Sequence, residues 1–191
     1  MAGADLARFV DRYTAEYVRH YPHPVERVWR AITDPAEFRA WFIAGTLEPR
    51  VGGAYQFGGP DFAGEVLALD PPRLIRLSST GPTSAKAYLE YELSADGDGT
   101  RMRFVQHFLT HDGFRAFPDD PGGDLPGGPD TPWYPGSLGG WHEFFEALGQ
   151  VLDGRPRRSG PERNARWLDL VETYRRYTRE VFAPTSSERE A

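Results

Sequence analysis

The spacing of apolar residues changes several times along this chain, and the changes lay out its elements. In the run PHPVERVWRAITDPAEFRAWF, residues 22–42, Val25, Val28, Trp29 and Ile32 recur at helical spacing. Pro24 suits a first helical position and Glu26 a first turn. Pro35 disfavours helical geometry at Asp34 and ends that helix. Asp34 then caps a second helix, with Pro35 at its first position and Glu37 as the third residue of a capping-box-like start. Phe38, Trp41 and Phe42 give the second helix its apolar face. Two short helices meeting at a proline thus carry a large aromatic surface toward something concave.

Elsewhere the spacing is that of strands. Residues 14–21 (TAEYVRHY) predict a first strand. Weak strand character at 46–49 is followed by a strand at 54–57, framed by Gly52–Gly53 and Gly58–Gly59–Pro60. Strands follow at 64–69, 73–79 and 85–94. In the last, Ala87, Leu89, Tyr91 and Leu93 share one face against Lys86, Tyr88, Glu90 and Glu92. Asp96–Gly97–Asp98–Gly99 predicts a hairpin turn into a strand at 100–108. There Met102, Phe104, Gln106 and Phe108 oppose Arg101, Arg103, Val105 and His107. Short strands in sequence with tight turns imply an antiparallel meander rather than a parallel nucleotide-binding sheet.

Three segments frame the meander. Residues 5–12 predict a short helix, with Leu6, Phe9 and Val10 on one side. Residues 111–138 are rich in Gly, Pro and Asp with Phe114, Phe117, Trp133 and Tyr134 among them. A loop of that length is either a surface insertion or a lid over a cavity mouth. Residues 139–152 form an amphipathic helix through Trp141, Phe144, Phe145, Leu148, Val151 and Leu152, stopped by Asp153–Gly154. A linker at 155–161 leads to a final helix at 162–182, striped by Trp167, Val171, Tyr174, Thr178 and Val181 beside Leu170 and Tyr177. Residues 183–191 read as a frayed, disordered tail.

Composition narrows the classes. At 191 residues one decorated domain is expected, with a core that needs neither disulfide nor metal. The absence of cysteine excludes a disulfide framework, thiol catalysis and cysteine-ligated zinc. A net charge of −6 with no Lys/Arg block argues against nucleic acid as a partner. No stretch approaches a membrane span, and MAGADLARFVDRY has no apolar signal core, so a cytoplasmic location is expected.

The order strand, two helices, meander and long helix is that of the helix-grip fold. HPVERVWRAITDPAEFRAWF resembles the opening of bacterial proteins similar to the C-terminal domain of the Hsp90 ATPase activator, within the START-like superfamily. GEVLALDPPRLIRLS looks like that family's strand–Pro–Pro–strand segment, DGDGTRMRF its hairpin and GGWHEFFEALGQVLDG its closing helix. The resemblance covers about residues 14–154. It implies an α+β fold in which a curved antiparallel sheet of about six to seven strands grips the long helix. The 1–13 extension, the 111–138 insertion and the helix at 162–182 are departures. Nothing here corresponds to the co-chaperone's separate N-terminal domain, so Hsp90 stimulation is not carried over.

The resemblance also implies a cavity between sheet and helix that takes an apolar small molecule without a cofactor. Candidate lining residues are Trp29, Phe38, Trp41 and Phe42 from the paired helices, Tyr55, Phe57 and Leu67 from the early strands, Leu89, Tyr91, Met102 and Phe104 from the hairpin, and Trp141, Phe144, Phe145 and Leu148 from the closing helix. For any one of them plain core packing is the simpler reading. A cyclase- or aromatase-like enzyme would need an acid–base group, for which His142 and His107 are candidates near His111. Glu65, Tyr91 or Gln106 would orient its substrate. Strand parity, however, puts His107 on the solvent face. His20 and His23 flank a proline without carboxylates at metal-binding spacing, and no HExxH run exists. Ser137 and Ser159 lack a GxSxG elbow, and Asp119, Asp120, Asp124 and Asp130 lack the EF-hand pattern. A third reading is a protein-interaction or co-chaperone-like module. The stripe on the 162–182 helix must be covered, by the back of the sheet or by a second subunit in a homodimer.

Overall fold

The structure is a computed structural model that describes residues 6–11, 14–59, 62–78, 87–107 and 135–182. Its elements are β1 (Arg8–Asp11), β2 (Thr14–Tyr21), α1 (Val25–Thr33), α2 (Pro35–Trp41), β3 (Gly45–Leu47), β4 (Ala54–Phe57), β5 (Ala63–Asp70), β6 (Leu74–Ser78), β7 (Tyr88–Asp96), β8 (Gly99–His107), α3 (Pro135–Leu152) and α4 (Gly160–Val181). The strands form one antiparallel sheet in the order β1-β2-β8-β7-β6-β5-β4-β3. Helices α1 and α2 connect β2 to the opposite edge strand, β3, and α3 lies along the inner face. This is the α+β helix-grip architecture, with one strand more than the meander alone predicts.

The extra strand corrects one expectation. Residues 8–11 pair with β2 instead of forming a helix. Phe9 docks against Tyr177 and Phe182, with ring centroids at 5.7 and 4.8 Å, and the Ala7 N–H donates to the Tyr174 hydroxyl at 2.9 Å. A short run that fits a helical template becomes a strand because edge pairing and distant aromatic partners outweigh local preference.

The junction of α1 and α2 follows its local chemistry closely. Pro24 is the N-cap, so α1 begins one residue later than predicted. The Asp34 carboxylate accepts from the Ala36 N–H at 2.9 Å, with Pro35 at the first helical position. Glu37 does not close a capping box. Its carboxylate takes the guanidinium groups of Arg27 and Arg30, both at 2.5 Å, and so ties the two helices together. The Trp41 indole N–H donates to the Ala31 carbonyl at 2.8 Å and adds a buried tie.

The β7–β8 hairpin closes on the pair Asp96 and Gly99, and Gly97 takes the left-handed conformation that such a two-residue turn demands. Register then fixes the faces. Ala87, Leu89, Tyr91 and Leu93 turn inward, as do Met102, Phe104 and Gln106, and all are buried. The outer face carries a ladder of charge. Glu16 accepts from Arg8 and Arg103, Arg103 also reaches Glu92, and Arg76 donates to Glu90 at 2.7 Å. Arg76 lies 4.7 Å above the Tyr88 ring, which stacks on His107.

Helix α4 folds back on α3. Leu170, Val171, Tyr174 and Thr178 are buried there. Within the chain, the covering surface is α3 together with β1, not the back of the sheet. Leu168 and Val181 on the same helix stay exposed.

Burial pushes the Glu16 carboxyl up, but hydrogen bonds from Arg8 and Arg103, and their charges, hold it below its ordinary value of 4.5. A carboxyl lowered in the folded state adds stability above its unfolded pKa and loses that contribution as pH falls through its folded pKa. Glu16→Gln should therefore be less stable than the parent at about pH 7, with the gap shrinking toward about pH 3. Urea unfolding at the two pH values checks this; a gap that grows on acidification would contradict it.

Candidate functional site

The residues chosen as cavity lining fall into two groups. The first is core. Phe38 stacks on Phe57 at 4.5 Å, Tyr91 meets Phe104 at 4.7 Å, and Phe104 meets Phe145 at 5.0 Å. Trp41, Tyr55, Leu89, Met102 and Leu148 are buried in the same cluster, and Trp29 packs on it from α1. Burial pushes the phenols of Tyr55 and Tyr91 up, so both stay protonated at neutral pH, and Tyr55 donates to the Ser78 carbonyl. Leu67 is a correction. It is 36% exposed, while its neighbour Val66 turns inward beside a bulge in the β5–β6 pairing.

The second group opens onto space. Phe42, Trp141 and Phe144 line a cavity of about 390 Å³ together with Ile43, Phe62, Gly136, Ser137, Gly140, Arg163, Asn164 and Trp167. This cavity lies beyond the aromatic ridge of α3, between the end of α2, the β4–β5 connection and α4. It does not lie between the sheet and α3, where the sequence reading put it. Trp141 divides the two regions. One side of its indole meets Phe104 at 4.5 Å, and it stacks on Phe42 at 5.1 Å and 12°.

Small residues make the room. A Cβ on Gly139 would sit 3.1 Å from the Val171 nitrogen, so this glycine lets α4 approach the α3 backbone closely. A Cβ on Gly140 would meet only the Trp167 indole nitrogen, at 4.0 Å, so its missing side chain leaves cavity. The Trp167 indole N–H points back to the Gly136 carbonyl at 3.4 Å.

Charge collects along one wall. Glu143 is fully buried on α3 and takes Arg163 Nε at 3.2 Å and Arg157 at 3.6 Å on one oxygen. Among the described residues its other oxygen has no hydrogen-bond partner. Arg157 also donates to the Phe42 carbonyl at 2.6 Å. Both guanidinium groups lie over the Phe144 ring, at 5.5 and 5.8 Å. Burial pulls the Arg157 pKa down and the Glu143 charge opposes that shift. One turn along, Glu146 is taken by Arg158 and Arg166.

The acid–base candidates lie elsewhere. His107 is on the outer face, 2.8 Å from the Thr14 hydroxyl. His142 is buried between α3 and α4, 3.1 Å from the Tyr174 hydroxyl and 3.5 Å from Glu146. Glu65 is exposed. Gln106 is buried on the inner face, and among the described residues its side-chain oxygen has no partner. His111, the acidic residues 119–130 and all of the 111–138 insertion up to residue 134 lie outside the described residues, while 135–138 are not loop but the first residues of α3, which begins four residues earlier than expected. His20 pairs with Asp96 and His23 with Asp153, and among the described residues no three His, Asp or Glu side chains group as metal ligands would. No described helix is long and apolar enough to cross a membrane.

Sequence reasoning missed Ile43, Phe62, Arg163 and Asn164. The available signal was PGSLGG at 135–140, small residues within a helix that otherwise carries large ones.

The family described as Activator of Hsp90 ATPase homolog 1-like protein matches residues 22–153. No curated protein matches. The crystal structure of CalU16 from Micromonospora echinospora is 21% identical, covering 91% of this chain and 94% of that one, with a TM-score of 0.62. MLL2253 from Mesorhizobium loti is 26% identical over 74% of this chain and 97% of its own, with a TM-score of 0.56. These likenesses are of fold.

The two glycines make opposite predictions. Gly139→Val should destabilise by about 1–3 kcal/mol, because the side chain forces the α4 backbone away. Gly140→Ala should stabilise by about 0.5–1 kcal/mol through backbone entropy alone. Paired denaturant titrations measure both; equal effects would contradict the packing described.

Proposed function

The chain belongs to the family of Activator of Hsp90 ATPase homolog 1-like proteins, and we propose that it binds an apolar, ring-containing small molecule in the cavity bordered by α2, α3 and α4. The observation that carries this reading is the cavity wall. Five aromatic residues, Phe42, Phe62, Trp141, Phe144 and Trp167, surround about 390 Å³ with few polar groups. Small-molecule sites are built this way, at about 300–1,000 Å³ with a sparse set of polar contacts. Aromatic walls favour flat ligands, which stack or meet ring edges at little entropic cost.

The enzyme reading has less support. His107 is across the sheet from this cavity, and His142 turns to Tyr174 and Glu146. Neither lines the space where a substrate would sit, and proton transfer needs hydrogen-bond reach.

The uncharged fluorophore N-phenyl-1-naphthylamine is a direct probe. It should bind saturably and brighten on entering the cavity. Gly140→Leu directs a side chain into that space without a backbone clash, and should abolish the signal while leaving the fold intact by circular dichroism. Undiminished binding by a folded Gly140→Leu protein would refute the assignment.

A further inference from the structure

We infer that the ligand of this cavity carries an anionic group, and that Arg163 recognises it. This rests on the cavity reading above and names the class of molecule. Among the described residues the cavity wall carries an excess of positive charge. Arg157 and Arg163 share one carboxylate oxygen of Glu143. Two guanidinium groups facing one carboxylate leave a net positive charge. Glu146 does not cancel it, since Arg158 and Arg166 already hold that carboxylate.

Geometry then separates the two arginines. Arg157 spends Nη1 on the Phe42 carbonyl and is fixed in the frame. Arg163 uses Nε toward Glu143, and among the described residues neither of its Nη groups meets an acceptor. It is Arg163 that lines the cavity. Its guanidinium is held against Phe144, itself a wall of the site, so the free donors are preorganised at the aromatic surface. Asn164 and Ser137 add two polar side chains to the lining.

An uncharged ligand would leave those donors to water alone. A carboxylate, sulfonate or phosphate on a ring system would satisfy them with charge-assisted hydrogen bonds while its rings meet Phe42, Trp141 and Trp167. The partly desolvated wall strengthens that attraction over its value in water. Glu143 has two effects. It anchors Arg163, and it competes with the ligand for Arg163's charge.

Two probes with one ring framework test this: 8-anilinonaphthalene-1-sulfonate, which is anionic, and N-phenyl-1-naphthylamine, which is neutral. The anion should bind about tenfold more tightly at low salt, with the advantage shrinking as salt is added. Arg163→Gln should weaken the anion about tenfold and change the neutral probe less than about twofold. Glu143→Gln should move the anion the other way, toward tighter binding, with the neutral probe unchanged and the near-UV circular dichroism kept; a gain for both probes with loss of near-UV signal would report a loosened fold and count against the assignment. Arg163→Gln acting equally on both probes, or on neither, would overturn anion recognition and leave the cavity assignment standing. Binding of both probes by folded Gly140→Leu would overturn the cavity assignment and this inference with it.

Discussion

The position of Trp141 governs this structure. Its indole is held between Phe104 on the sheet and Phe42 after α2, with Phe145 stacked at 5.8 Å. These contacts tie three layers to one side chain: the concave sheet, the paired helices and α3. They also decide where empty space can be. On the sheet side the indole meets buried Phe104 and Phe145, which also meet each other. On the far side the same indole is a cavity wall. Aromatic residues here do two jobs, and which job each does depends on its side of Trp141.

Helix α4 completes the second side. It reaches α3 because Gly139 presents no side chain to it, and it stays there through buried Leu170, Val171 and Tyr174. Tyr174 joins the helix pair to the sheet edge by accepting from Ala7 and meeting His142. The ion pairs between α3 and α4 fix the helices' register and bring Arg163 to the cavity. Replacing Glu143 or Arg157 would therefore be felt at the site as well as in stability, because a buried charge left without its partner is costly.

Much of the fold was legible because it is encoded locally. Asp34–Pro35 marks a helix junction by backbone chemistry alone, and Gly97 marks the hairpin. Period-two alternation in 87–93 identified the buried face of β7 without reference to any other strand. What was not legible depends on distant partners. Residues 8–11 pair as a strand because β2, Tyr177 and Phe182 are there to receive them. Leu67 faces out because a bulge resets the parity of β5. Glu37 prefers two arginines to a capping box. The aromatic wall was anticipated as a composition, and Phe42, Trp141 and Phe144 were in it. Its location was not, since it depends on how α4 crosses α3. Arg163 carried no local signal, because one arginine in a polar helix start is ordinary until its partner is known.

The central claim is that ligand space lies beyond Trp141, toward α4, and not between Trp141 and the sheet. Indole N–H resonances test it most directly, because the tryptophans are distributed across the two regions. On titration with N-phenyl-1-naphthylamine, the Trp141 and Trp167 indole signals should shift, while that of Trp41, bonded to the Ala31 carbonyl, should stay in place. A shifted Trp41 signal with Trp167 unmoved would put the ligand on the sheet side and contradict the account, whatever Trp141, which borders both regions, does.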